Sequence, residues 1–161
     1  PKEPYHNRHV TILPESQTLG VENFTIHPES APVLFTRVNL GSGRFALRGQ
    51  LSGEDSSETP FIAAMVPTSG AGDYALMFVN TPDPSEESIA NEPEACPEGF
   101  KCVADQWMGG PSLGFRSPGG GKFEPVKQAS EGWIMYWRTP GIGVPHPHPV
   151  MLNMVVNDGQ Y

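Results

Sequence analysis

"VLFTRVNLGSGRFALRGQL", residues 33–51, decides the fold class. Its second half, 44–51, alternates with a period of two: Phe45, Leu47 and Leu51 fall on one face, and Arg44, Ala46, Arg48 and Gln50 on the other. That is the periodicity of a strand with two unlike faces. Its first half, 33–40, follows Pro32 and stops at the turn Gly41-Ser42-Gly43.

Working outward, further runs of strand length carry the same punctuation by turn residues. They are VTIL (10–13), FIAAMV (61–66, between Pro60 and Pro67), YALMFVN (74–80), GWIMYW (132–137) and VMLNMVV (150–156). With the opening pair they make seven candidate strands. No segment shows an i, i+3, i+4, i+7 stripe of helical length; the nearest is SEESIANEPEA (85–95), a single turn between Pro84 and Pro93. The expected fold is all-β: an antiparallel β-sandwich, immunoglobulin-like or jelly-roll in type, with long Pro/Gly-rich loops and little helix. The 18 glycines and 18 prolines fit that architecture and disfavour helix. The stretch AGDYAL (71–76) resembles the Gly-x-Tyr approach to a strand in immunoglobulin-like domains, which implies that the Tyr74 hydroxyl ties a loop to the sheet. The cysteine and core-tryptophan pattern of those domains is missing, which leaves the sandwich type open.

At 161 residues the chain reads as one domain over 1–161, with an extended N-terminal arm at about 1–14 and an acidic insertion at about 81–102. Only Cys96 and Cys102 are present, separated by five residues that include Pro97 and Gly99. That spacing suits a disulfide, not CxxC redox chemistry, and two thiolates do not complete a zinc site. A disulfide points to an oxidising compartment, hence an extracellular, cell-surface or periplasmic protein whose leader has been removed. The net charge of −8, with no Lys/Arg cluster, excludes nucleic acid and disfavours anionic membranes. No apolar run is long enough to form a transmembrane helix.

Three groups of residues invite a chemical reading. His146 and His148, in GVPHPHPVML (143–152), put two imidazoles at i and i+2, where a β-strand would aim both at one copper or zinc ion. Each precedes a proline, and in polyproline II the same spacing turns the rings about 120° apart. A chelate there needs true β geometry and a further ligand, from His6, His9, His27, Met151 or Met154. The competing expectation is a stiff connector into the last strand. His6 and His9 themselves read as a solvated pair near the terminus. The acidic stretches 51–60 and 83–98 lack the ligand spacing of a calcium loop and read as solvated loops.

Aromatic residues are the third group. Trp107, Trp133, Tyr136 and Trp137 lie in the last third of the chain, with Phe115 and Phe123 in a glycine-rich intervening loop. In a strand Trp133 and Trp137 share a face with Met135, and Ile134 and Tyr136 share the other. An open face would stack on sugar rings or anchor a partner; a covered one is core. No nucleophile elbow, metalloprotease helix or phosphate loop occurs, so no catalytic residue is assigned. The expected function is therefore a secreted or cell-surface, non-catalytic structural or interaction domain without a cofactor. It would assemble with a protein partner or with itself through β-strand edge pairing or strand exchange, using its terminal strands. The alternatives are a carbohydrate-binding module using Trp107, Trp133 and Trp137, and a copper or zinc protein using His146 and His148.

Overall fold

The computed structural model describes residues 3–51, 60–69, 72–128, 132–141 and 148–156. The opening stretch forms a hairpin of β3 (Val33–Gly41) and β4 (Arg44–Leu51), paired antiparallel from Val33↔Leu51 to Gly41↔Arg44. Both residues of its two-residue turn, Ser42 (φ 55°) and Gly43 (φ 72°), have positive φ. A type I′ turn requires this combination, and its twist matches that of the strands it joins. The register slips between Asn39 and Gly41, a bulge just before the turn. Phe45 and Leu47 are buried, as the alternation demands, but so is Ala46 on the opposite face. Both sides of β4 are covered.

The other strands are β1 (Thr11–Ile12), β2 (Leu19–Glu22), β5 (Phe61–Pro67), β6 (Tyr74–Val79), β7 (Phe100–Val103), β8 (Trp107–Gly109), β9 (Leu113–Phe115), β10 (Lys122–Gln128) and β11 (Gly132–Arg138). All eleven join one open sheet in the order β1-β2-β11-β6-β5-β4-β8-β9, with β10 on β11, β3 on β4 and β7 on β5. Every paired strand is antiparallel. The sheet forks where one strand's edge is shared. β10 covers one edge of β11 throughout, so β2 at Gly132–Ile134 and β6 at Tyr136–Trp137 divide the other.

Forking lets one sheet wrap a core from several directions. The main cluster takes buried side chains from eight strands, among them Phe45, Ile62, Leu76, Trp107, Phe123 and Met135. Inside it an edge-to-face series of rings runs Trp107–Phe115 (5.1 Å), Phe115–Trp137 (6.2 Å) and Trp137–Phe123 (4.8 Å). Such ring pairs add about 0.5–1.5 kcal/mol each beyond area burial. Gly49 is required here by close approach: a Cβ would stand 2.8 Å from the Phe78 ring and 3.0 Å from Ile62. Tyr74 packs against this cluster and meets Phe115 edge-on at 6.3 Å.

Five strands were not evident in the sequence, among them the four-residue β2. β7, β8 and β9 are only three or four residues long, under two periods of alternation. β10 carries Pro125 and buried Glu124, neither typical of a strand, yet pairs with β11 along its whole length. Phe115 and Phe123, expected in a loop, are core residues on β9 and β10.

The acidic insertion is also more ordered than its composition suggests. It forms α1 (Glu86–Ala90), whose N-cap Ser85 accepts from the Ser88 amide. Ile89 and Ala95 then pack with Ala46, Phe61, Ala63 and Val79 on the second face of the sheet. Its carboxylates stay outside while two small apolar residues hold it down. A disulfide joins Cys96 to Cys102, and Cys102 lies in β7 opposite Met65. Replacing both cysteines by serine is expected to cost roughly 2 kcal/mol, the loop-closure value for so short a loop. A urea denaturation midpoint measured with and without the cysteines checks this.

Both ends of the described chain dock on their own body. Thr11–Ile12 pair with β2, and Leu13 is fully buried. The segment 148–156 runs as a strap along the edges of β10 and β9. Val150 N–H donates to Phe123 O (2.9 Å), Leu113 N–H to Leu152 O (2.8 Å) and Met154 N–H to Pro111 O (2.8 Å). Val150, Leu152 and Met154 pack on the main core, whereas Met151 is 76% exposed. The strand expected at 150–156 is reduced to two isolated bridges, Phe123↔Val150 and Ser112↔Asn153.

Candidate functional site

The histidine motif falls partly outside the description: His146 is not among the described residues. His148 is exposed, and its backbone N–H donates to Glu124 Oε1 at 3.4 Å. Among the described residues no group of three or more His, Cys, Asp or Glu side chains converges on a metal-sized point. Met154 is turned into the core; His9 donates from Nε2 to the Ser30 carbonyl at 2.7 Å. His27 lies 3.8 Å from Glu22, beside a shallow groove lined by Glu22, Ile26, Pro28 and Glu29.

The three tryptophans have unlike surroundings. Trp107 is 0% exposed and donates its indole N–H to Ile62 O at 2.8 Å. Trp137 is 6% exposed and donates to Ser117 Oγ at 2.9 Å. Both spend their polar atom inside the protein, as buried indoles do. Trp133 is half-buried, with Tyr5 edge-on at 6.0 Å and Lys127 Nζ 5.8 Å from its ring centre. Of the three indoles, Trp133 is the one that is not buried.

A charged cluster that sequence reasoning did not single out joins β10, β11 and the residue just before β6. Arg138 Nη2 stands 3.2 Å from Asp73 Oδ2, and its Nε stands 3.5 Å from Glu124 Oε2. The side chains keep 15%, 20% and 10% exposure for Arg138, Asp73 and Glu124. Burial raises the Asp73 carboxyl above its ordinary range, opposed in part by Arg138. Burial, and then the charge of Asp73, raise the Tyr136 hydroxyl. Because Glu124 also receives the His148 amide, the cluster anchors the start of the C-terminal strap. One cation between two carboxylates offsets one of their two charges and ties them together as a clasp.

A row of backbone groups on β3 also lacks a strand partner among the described residues. β3 is the longest strand, with β4 on one side and, among the described residues, no strand on the other. Val33 N–H points outward to Val10 O at 2.8 Å. By antiparallel alternation Phe35, Arg37 and Asn39 also turn their N–H and C=O groups away from β4. The strand's exposed face carries Phe35 at 38% exposure. Arg37 lies over the Phe45 ring at 3.8 Å and reaches Gly109 O at 3.4 Å. Natural edges are blunted by lysine, proline or shortness. From Val33 to Gly41 this one has no lysine and no proline; its protection is limited to the charge of Arg37 and the terminal bulge.

No family model, curated protein or solved structure matches the chain. The open edge, the clasp and the half-covered Trp133 therefore have to be weighed on their own physics. Among the described residues no helix is long and apolar enough to cross a membrane.

Proposed function

We propose that this chain is a secreted or cell-surface, non-catalytic interaction domain that assembles through β-strand edge pairing, and that β3 is its working edge. The observation that carries this reading is the open row of backbone donors and acceptors at Phe35, Arg37 and Asn39 beside an exposed aromatic ring. A partner strand laid there would gain main-chain hydrogen bonds for affinity, and Phe35 and Arg37 would give specificity. The disulfide supports an oxidising compartment. The antiparallel sheet and the core buried behind it supply a rigid backing for the edge. Both terminal segments pair within their own chain, which favours edge pairing over exchange of the ends.

Amide hydrogen exchange on the dilute monomer tests the reading. Leu34, Thr36 and Val38, bonded to β4, are expected to be protected, while Phe35, Arg37 and Asn39 exchange at nearly the rate of unstructured chain. Equal protection along the whole strand would mean that the chain covers its own edge, and the reading would fall.

A further inference from the structure

Resting on that reading, we infer that the strand received by β3 is β3 of a second copy, in an antiparallel register that places Thr36 opposite Thr36. Paired residues of an antiparallel ladder lie on the same face of the sheet. A two-fold axis through two copies of one strand must therefore pass through a residue opposite its own copy. Few positions are available. Centring on Phe35 pairs each Arg37 with Val33, whose outward N–H already donates to Val10 O. Centring on Arg37 sets two guanidinium groups directly opposite, which is destabilising. Centring on Val38 pushes the pairing through the bulge between Asn39 and Gly41.

Centring on Thr36 uses 34–38, the stretch between the Val33–Val10 contact and the bulge. It sets Thr36 against Thr36, Leu34 against Val38 and Phe35 against Arg37 twice. Threonine pairs, aliphatic pairs and a cation over an aromatic face are all favourable cross-strand partners. The backbone agrees. Phe35 and Arg37 are the residues whose N–H and C=O point outward, so each Phe35–Arg37 pair would exchange two main-chain hydrogen bonds, four in all. Thr36 would then form the close, non-hydrogen-bonded pair on the axis.

Charge also favours a second copy here. The net charge of −8 would drive copies apart over most of the surface, but residues 30–53 hold Arg37, Arg44 and Arg48 and no Asp or Glu. Two copies meeting at β3 thus bring no carboxylates together from this hairpin. Each Arg37 is already held flat over its own Phe45, leaving its other face for the incoming Phe35.

The test combines sedimentation of the wild-type protein with cysteine cross-linking. Wild type is expected to shift from monomer to dimer as concentration rises. Thr36→Cys, at an exposed position, is expected to give a disulfide-linked dimer under mild oxidation, while Arg37→Cys and Phe35→Cys give little. A dimer cross-linked by Arg37→Cys or Phe35→Cys, and not by Thr36→Cys, would overturn the register. The competing occupant is an acidic extended segment of another protein. It predicts a monomer at every concentration and no Thr36→Cys dimer, and that result would overturn the second copy as occupant. In that case free exchange of the Phe35, Arg37 and Asn39 amides in the monomer would leave the open-edge reading standing.

Discussion

Trp107→Ala is expected to remove about 5 kcal/mol of stability, close to the whole stability of a marginal domain. Two losses combine. Truncating a fully buried indole empties a site walled by Phe115, and substitutions of that size cost about 3–5 kcal/mol. The Ile62 carbonyl also loses the donor 2.8 Å away, and an orphaned buried acceptor costs roughly 1–3 kcal/mol. Partial collapse of the neighbouring rings keeps the sum below the two upper limits. Trp107→Phe retains most of the ring and isolates the second loss, so it should cost about 2 kcal/mol. Trp133→Ala, at a half-buried position under Tyr5, should cost no more than about 1.5 kcal/mol. Urea denaturation of the three variants checks the ranking, and equal losses at Trp107 and Trp133 would contradict it. The ranking also bears on ligand assays. A sugar-binding defect in Trp107→Ala would report a damaged fold, whereas one in Trp133→Ala would report a surface.

How much of this could be read from the chain depends on where each feature's cause lies. The β3–β4 hairpin was legible because its cause is local: alternation through 44–51 and a turn built from Gly41, Ser42 and Gly43. β10 was not, because Lys122, Glu124 and Pro125 become strand residues only through their partners Arg138, Tyr136 and Met135 on β11. The same holds for β7, where Cys102 and Lys101 are set in place by Met65 and Val66. In the acidic insertion six carboxylates hide a two-residue apolar anchor, Ile89 and Ala95, whose partners lie on β4, β5 and β6. The disulfide was legible from spacing alone.

The candidate edge was the least legible feature. A strand at the rim and one in the middle of a sheet can share the same alternation, and nothing in VLFTRVNLG states how many neighbours it has. The ion cluster was hidden for a similar reason, since Asp73, Glu124 and Arg138 are brought together only by β6, β10 and β11. The three tryptophans, in turn, are alike in sequence and differ only in what covers them.

Arg138→Met should destabilise the protein by about 3 kcal/mol at neutral pH, the low end for breaking a buried ion pair because the side chains keep some exposure. The methionine fills the volume, so the loss is electrostatic: Asp73 and Glu124 remain with no cation between them. Its pH dependence separates this cause from lost packing. In the wild-type protein burial already raises the Asp73 carboxyl above its ordinary value of 3.8. A carboxyl that holds its proton more tightly when folded adds stability as pH falls through its folded value towards that of the unfolded chain. Removing Arg138 takes away the influence that lowers the Asp73 value, moving it further up. The deficit of Arg138→Met should therefore be largest at neutral pH and shrink as pH is lowered through the raised range. Asp73→Asn in the Arg138→Met background should recover part of the loss at neutral pH and flatten the dependence. A deficit that stayed constant with pH, or grew in acid, would assign the effect to packing. Glu124 also accepts the His148 amide, so loss of its cationic partner should loosen the strap. Faster exchange at the Val150 and Leu113 amides, which hold the strap to β10 and β9, would register that loosening before global unfolding.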